Sequence, residues 1–160
     1  MFDRFLDSTN AVLRCAGRES AVRGERFIGS EHLLLGLLDY EYGIVGEVFG
    51  LVGLSYEQVS DELSHLLASP SWRSIVTSPV RDFTPTAYGM LESAAEQATQ
   101  LGCHSVHPEH VLLGITERVS ADDSSVAAVL LRAVQLESDA LRRAAHEVIT
   151  YRRGALTEES

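Results

Sequence analysis

The chain has 160 residues, 45% of them apolar and 22% charged, which describes an ordinary globular protein of one domain or two small ones and excludes a disordered chain. Thirteen basic against twenty-three acidic residues leave a net charge of -10, which repels phosphate backbones and argues against nucleic acid as a partner. Only Cys15 and Cys103 are cysteines, no run approaches the roughly 18 apolar residues of a membrane span, and Met1-Phe2-Asp3-Arg4-Phe5 is no signal peptide. A soluble cytoplasmic monomer is therefore expected. All thirteen basic residues are arginine, a bias that points to a GC-rich coding genome such as an actinomycete's.

The first helix is predicted from Phe5, Val12, Leu13 and Ala16, recurring at helical spacing and ending near Arg23-Gly24. Ser30 is read as the cap of a second, short helix whose Leu33, Leu34, Leu35, Leu37 and Leu38 point in every direction, as in a helix surrounded by others. A third covers roughly Ile44 to Val52 and is closed by Gly53. The fourth opens on a capping box of Ser55 and Gln58, with Leu54 stapled onto Val59, and buries Val59, Leu63, Leu66 and Leu67. Residues 69–82, with Pro70, Pro79 and several serines, read as a linker in which Trp72 packs back over the junction.

Thr84-Pro85 then starts the pattern again, threonine as N-cap and proline at the first helical position. Slid by 78 residues, Phe5 meets Phe83, Leu13 meets Leu91, and Glu31-His32-Leu33-Leu34-Leu35-Gly36 meets Glu109-His110-Val111-Leu112-Leu113-Gly114. Further on the offset becomes 82, where Leu54 meets Leu136 and Leu67 meets Ile149, so the second copy carries about four extra residues within Glu117 to Ser125. No run alternates long enough for a strand. The expected fold is all-α, eight helices in two pseudo-symmetric four-helix repeats, 1–68 and 83–151, with a tail at 152–160 and the whole forming one compact domain.

This duplicated Glu-His-x-Leu-Leu-Gly segment, together with the opening Met-Phe-x-x-Phe, resembles the amino-terminal domain of Clp chaperone ATPases, most nearly the ClpC type. The resemblance covers Met1 to about Tyr151. It implies a docking platform without chemistry of its own, which recruits substrates and adaptor proteins, in some members holds phosphoarginine, and in actinobacteria is bound by antibiotic cyclic peptides such as cyclomarin. No G-x-x-x-x-G-K-[ST] phosphate loop occurs in the sequence, so no ATP hydrolysis or other cofactor-dependent step is expected of it. Two arrangements fit: a free-standing decoy that sequesters cyclic peptides from a Clp unfoldase, or the excised N-domain of such an unfoldase.

Glu31 and Glu109 stand in the first turn of their helices, where a carboxylate can take the fork of a guanidinium and free backbone N–H groups can take a phosphate. The resemblance places phosphoarginine on these two residues; alone, each also complements its helix dipole. The second copy reads His107-Pro108-Glu109-His110 where ClpC proteins usually carry Gly-Thr-Glu-His. His32 and His110 sit at the second helical position, where an imidazole can tie the helix start to nearby backbone. The resemblance also places cyclic peptides across the two long helices, on Phe2, Leu13, Phe83 and Glu92. Asn10 and Tyr88 belong to that face but replace the basic residues usual there. Phe5 and Phe83 are expected in the core and Phe2 outside it. An enzyme, for instance a metal-dependent hydrolase using His104, His107 and Glu109, is the rival reading, but the repeat keeps only the Glu-His pair and no nucleophile motif supports it. No metal site is expected.

Overall fold

The computed structural model describes residues 1–68 and 83–158; the expected linker, Trp72 included, lies outside them. Within the described residues there are eight α-helices after a short 3₁₀ turn at Phe2–Arg4: α1 (Asp7–Val22), α2 (Ser30–Tyr40), α3 (Gly43–Val52), α4 (Tyr56–Ala68), α5 (Pro85–Gln100), α6 (Pro108–Ala121), α7 (Val126–Ala133) and α8 (Ser138–Glu158). Among the described residues strand-like pairing is limited to two isolated parallel bridges, Phe5 with Val106 and Ile28 with Phe83. No described helix is long and apolar enough to cross a membrane.

The local signals act where the residues place them. Thr84 Oγ1 accepts from Ala87 N (3.1 Å) above Pro85, and Ser55 with Gln58 forms the reciprocal box, Ser55 N to Gln58 Oε1 at 2.9 Å and Gln58 N to Ser55 Oγ at 3.3 Å. Gly53, at φ 68°, turns the chain out of α3. α2 is apolar all round and correspondingly buried, its five leucines showing at most 1% exposure.

The two copies interlock. α1 lies on α2 and α5 on α6, while α3 packs against α8 and α4 against α7, each an element of the other copy, and α2 and α6 touch at the centre. The two bridges follow the same logic, because 83 - 5 and 106 - 28 are both 78: each joins the opening residue of one copy to the loop before the Glu-His helix of the other. Val106 N donates to Arg4 O (2.8 Å), Leu6 N to Val106 O (3.2 Å) and Thr84 N to Ile28 O (2.9 Å). The glycine ending each Leu-Leu-Gly run serves the pairing within its own copy, α2 on α1 and α6 on α5. A Cβ at Gly36 would lie 2.8 Å from Val12 O and 2.9 Å from Ala16 N, and one at Gly114 would lie 2.7 Å from Ala94 N and run into Met90 O. Only a residue without a side chain lets the paired helices approach this closely.

Several expectations need correction. Phe5 is not inside a helix: it is extended (φ -80°, ψ 125°) and precedes α1, because its backbone is taken by the bridge to Val106. Phe83 is likewise bridged before α5 and only half-buried. Leu67 is 41% exposed, so the buried stripe of α4 ends at Leu66, which packs partly buried against the core. The insertion in the second copy is partly helical: α6 runs 14 residues against 11 in α2, so Val119, Ser120 and Ala121 extend the helix before the Asp122 turn. At the other end, α8 continues past Tyr151 to Glu158.

Candidate functional site

The duplicated helix start is built from the same parts in both copies. The N-caps are Gly29 and His107, so Ser30 is the first residue of α2 rather than its cap, and His32 and His110 fall at the third helical position. From there each imidazole reaches back: Gly29 N donates to His32 Nδ1 (2.9 Å) and His107 N to His110 Nδ1 (3.0 Å). This is one half of a capping box, with imidazole in the place of glutamate and no bond returned by the cap side chain. Burial lowers the pKa of both rings to about 4, helped at His32 by Arg23 and at His110 by His107, Arg153 and Arg4. Both are therefore neutral at pH 7, with Nδ1 accepting and the proton on Nε2. His32 Nε2 is buried without a hydrogen-bond partner.

Glu31 and Glu109 follow at the second helical position with side chains 17% and 15% exposed. Glu31 Oε1 lies 3.7 Å from His32 Nδ1, and Glu109 Oε1 lies 3.8 Å from His107 Nδ1. The surroundings differ. The Glu31 carboxylate folds back over Gly29, where any Cβ would collide with it, and takes a long bond from Ser30 Oγ (3.4 Å). Burial raises its pKa, and the nearby Glu25 adds to the rise. In the second copy a histidine side chain occupies the corresponding cap, its ring edge-on to His110 with centroids 5.4 Å apart. Arg4 fastens the loop before α6 through His104 O (2.8 Å) and Cys103 O (3.2 Å), and Arg153 Nη2 donates to Cys103 Sγ (2.8 Å), so this helix start stands among guanidinium groups.

Ser30 has a role that its position in the sequence did not signal. Its buried hydroxyl accepts from Ala127 N (3.1 Å), the second residue of α7, while Ser125 Oγ takes Ala128 N (3.2 Å). The first copy thus supplies half of the N-terminal cap of a helix in the second. Pro108, the counterpart of Ser30, has no hydroxyl to do the same for α3.

At the opening of the two long helices the structure gathers an aromatic cluster. Phe2, 42% exposed, lies edge-on to Phe5 (5.1 Å between centroids) and Tyr88 (6.3 Å) and stacks on Phe83 (6.1 Å). Leu13 is half-buried against the core, Asn10 Nδ2 donates to Phe5 O (3.3 Å), and Glu92 is exposed one turn beyond Tyr88. Phe2, Phe83 and Tyr88 therefore meet in one patch; Asn10 is committed to the backbone beside it. His104, His107 and Glu109 do not form a ligand set, and among the described residues no three histidine, cysteine, aspartate or glutamate side chains are placed to hold a metal ion.

The sequence matches the family described as Clp repeat (R) N-terminal domain over residues 4–122 and 82–158. It is 30% identical over 152 residues to a chloroplastic ATP-binding subunit of the Clp protease from Solanum lycopersicum, the ClpA homolog CD4B. It is 31% identical over 145 residues to the chloroplastic chaperone ClpC1 of Arabidopsis thaliana. These alignments cover 88% and 84% of the chain, which spans about 16% and 15% of the two relatives. In fold it matches the N-terminal domain of the chaperone ClpD from Arabidopsis thaliana with a TM-score of 0.76 at 19% identity, covering 94% of this chain and 97% of that one. The Hsp104 N-terminal domain from Candida albicans follows at 0.66 and 14% identity, with 90% of each chain covered. The doubled Glu-His helix start, the interlocked eight-helix fold and the match across both copies make this chain a member of the Clp N-terminal repeat family.

Proposed function

We propose that the chain is the docking domain of a ClpC-type unfoldase, which captures peptide segments of substrates or adaptors and performs no chemistry. Repeats 1–68 and 83–151 act as one binding body, monomeric and cytoplasmic. The observation that carries this is the duplicated helix start, at which a neutral imidazole takes the cap N–H and a largely buried glutamate stands in the first turn, at the N–H end of the helix. A phosphoarginine side chain carries the two complementary charges, guanidinium for the carboxylate and phosphoryl for the N–H groups. The first copy is the stronger site: the Glu31 carboxylate is desolvated and gains most from an incoming cation. Calorimetric titration with free phosphoarginine tests this. Glu31→Ala is expected to weaken binding more than Glu109→Ala, and the absence of heat at millimolar ligand removes phosphoarginine from the account.

A second ligand class is favoured by the aromatic patch. Phe2 is half in solvent yet braced by three rings, an arrangement suited to an apolar cyclic peptide of the cyclomarin kind, with Leu13, Phe83, Tyr88, Asn10 and Glu92 around it. With Asn10 and Tyr88 in place of basic residues, apolar contact is the main attraction. A separate domain with this patch acts as a decoy, lowering free peptide in proportion to its abundance and affinity. Phe2→Ala is expected to reduce affinity for such a peptide about tenfold or more. Overproduction of the wild type should raise cellular tolerance to it. No binding at micromolar peptide excludes both the patch and the decoy.

A further inference from the structure

Arg118, in the last turn of α6, is held in a way that the helix dipole alone does not require. Its Nε donates to the buried hydroxyl of Ser93 on α5 (2.8 Å). Its guanidinium lies flat over Gly89, one turn earlier on α5: a Cβ there would stand 3.4 Å from Cζ and 3.6 Å from both Nη1 and Nη2. The side chain is thereby fixed by one edge and one face. Nη1 and Nη2 bond to no described residue, and they border a recess of about 290 Å³ that Thr86 and Asp122 also line.

In a chain of net charge -10 a clamped arginine would be expected to find a carboxylate nearby, but both adjacent candidates are engaged elsewhere. Glu117 Oε2 lies 3.7 Å from Arg142 Nη1. Asp122 Oδ1 accepts from Ser124 N (3.0 Å) and Ser124 Oγ (2.6 Å). Two parallel N–H donors held in plane match the two oxygens of a carboxylate, and prior immobilisation removes much of the entropic cost of forming the pair. A phosphate dianion is disfavoured by Asp122 on the same recess.

We propose that the clamped Arg118 fork is a receptor for the carboxylate of a glutamate or aspartate side chain in a docking peptide. This subsite is distinct from the Glu31 and Glu109 helix starts, and it extends the docking reading to acidic segments. Ser93 is its positioning residue, orienting Nε, while the guanidinium plane packs over Gly89.

The test is a low-salt titration of the full chain with acetyl-Ala-Glu-Ala-Glu-Ala-amide, following the Arg118 Nε–Hε resonance and the binding heat. The glutamate peptide is expected to bind about tenfold tighter than its glutamine counterpart. Arg118→Gln should remove that preference, and Arg118→Lys should weaken it about threefold or more, because ammonium lacks the fork. Ser93→Ala, which retains every charge, should weaken binding by releasing Nε from its anchor. Arg143→Gln, an exposed arginine on α8, should change nothing. The proposal is overturned if the two peptides bind wild type equally, if Arg143→Gln costs as much as Arg118→Gln, if Arg118→Lys matches wild type, or if inorganic phosphate shifts the Arg118 Nε–Hε resonance at lower concentration than the glutamate peptide does. Phosphoarginine binding by Glu31 variants reports on the other site, so the two accounts fail separately.

Discussion

The starts of α2 and α6 share a backbone plan and differ in what surrounds it. Both place a glutamate second and a neutral capping imidazole third. Around α2 the cap is glycine, the carboxylate is folded into the protein, and the hydroxyl of Ser30 reaches into the other copy. Around α6 the cap is histidine, proline replaces the serine, and Arg4 and Arg153 stand close enough to depress the His110 pKa. The duplication thus preserves what folds the helix start and lets its electrostatics diverge. A desolvated carboxylate favours the cationic part of a ligand, whereas a ring of guanidinium groups favours the anionic part.

The largest effect should come from what the copies share. Gly114→Ala and Gly36→Ala each push a methyl into facing backbone, and overpacking of this kind costs about 1–3 kcal/mol or more. Gly114 should be the more damaging, since its approach to Met90 O is the tighter. Thermal or urea unfolding of the two variants measures this, and equal wild-type stability in both would mean that the helix pairs do not cross as described.

The shared imidazoles give the next effect, on the order of 1 kcal/mol or more. Their folded pKa of about 4 lies below the ordinary 6.5, so the unfolded chain binds protons that the native one does not. The stabilisation is complete above pH 6.5 and is lost as pH falls toward 4. Glu31, with its pKa raised, works in the opposite sense: it favours the native state at low pH, and that contribution is lost as pH rises through its own range. Replacing both histidines by glutamine keeps an acceptor for the cap N–H without the titration, and should flatten the fall in stability between pH 6.5 and 4. An unchanged pH profile would show that the rings take up protons in the fold as readily as in the unfolded chain.

Smaller effects should separate the copies. Ser30→Ala removes one cap of α7 and should cost about 1 kcal/mol. Pro108→Ser is expected to gain nothing comparable unless its hydroxyl finds the start of α3. Phe2→Ala should leave the melting temperature almost unchanged, because the ring is 42% exposed; a large drop would make Phe2 a core residue and remove it as an anchor.

The fold was legible because each repeat checks the other: the capping box at Ser55, the Thr84-Pro85 start and the doubled Leu-Leu-Gly all point to helices that the structure contains. The helix starts were legible in residue type but not in register, since a cap with no side-chain acceptor, Gly29, leaves no mark in a sequence while Ser30 beside it is an obvious candidate. That serine was taken by α7, 97 residues away, a contact that no local pattern carries. For the same reason Phe5 read as helical: its apolar spacing fits α1, but its backbone is claimed by Val106 of the other copy. The Ser93, Gly89 and Arg118 clamp joins two helices through a polar residue, a small residue and a charge, none of which stands out in a hydrophobic pattern.

The most direct test of the docking account is a site-resolved NMR titration of the intact chain with free phosphoarginine, which observes both helix starts in one sample. The amides of Gly29, Ser30 and Glu31 should shift and saturate at lower ligand than those of His107, Glu109 and His110. Added salt should weaken the second set more than the first, because guanidinium attraction is screened more readily than a desolvated pair. Saturation of the α6 amides first, or shifts that avoid both helix starts, would contradict it.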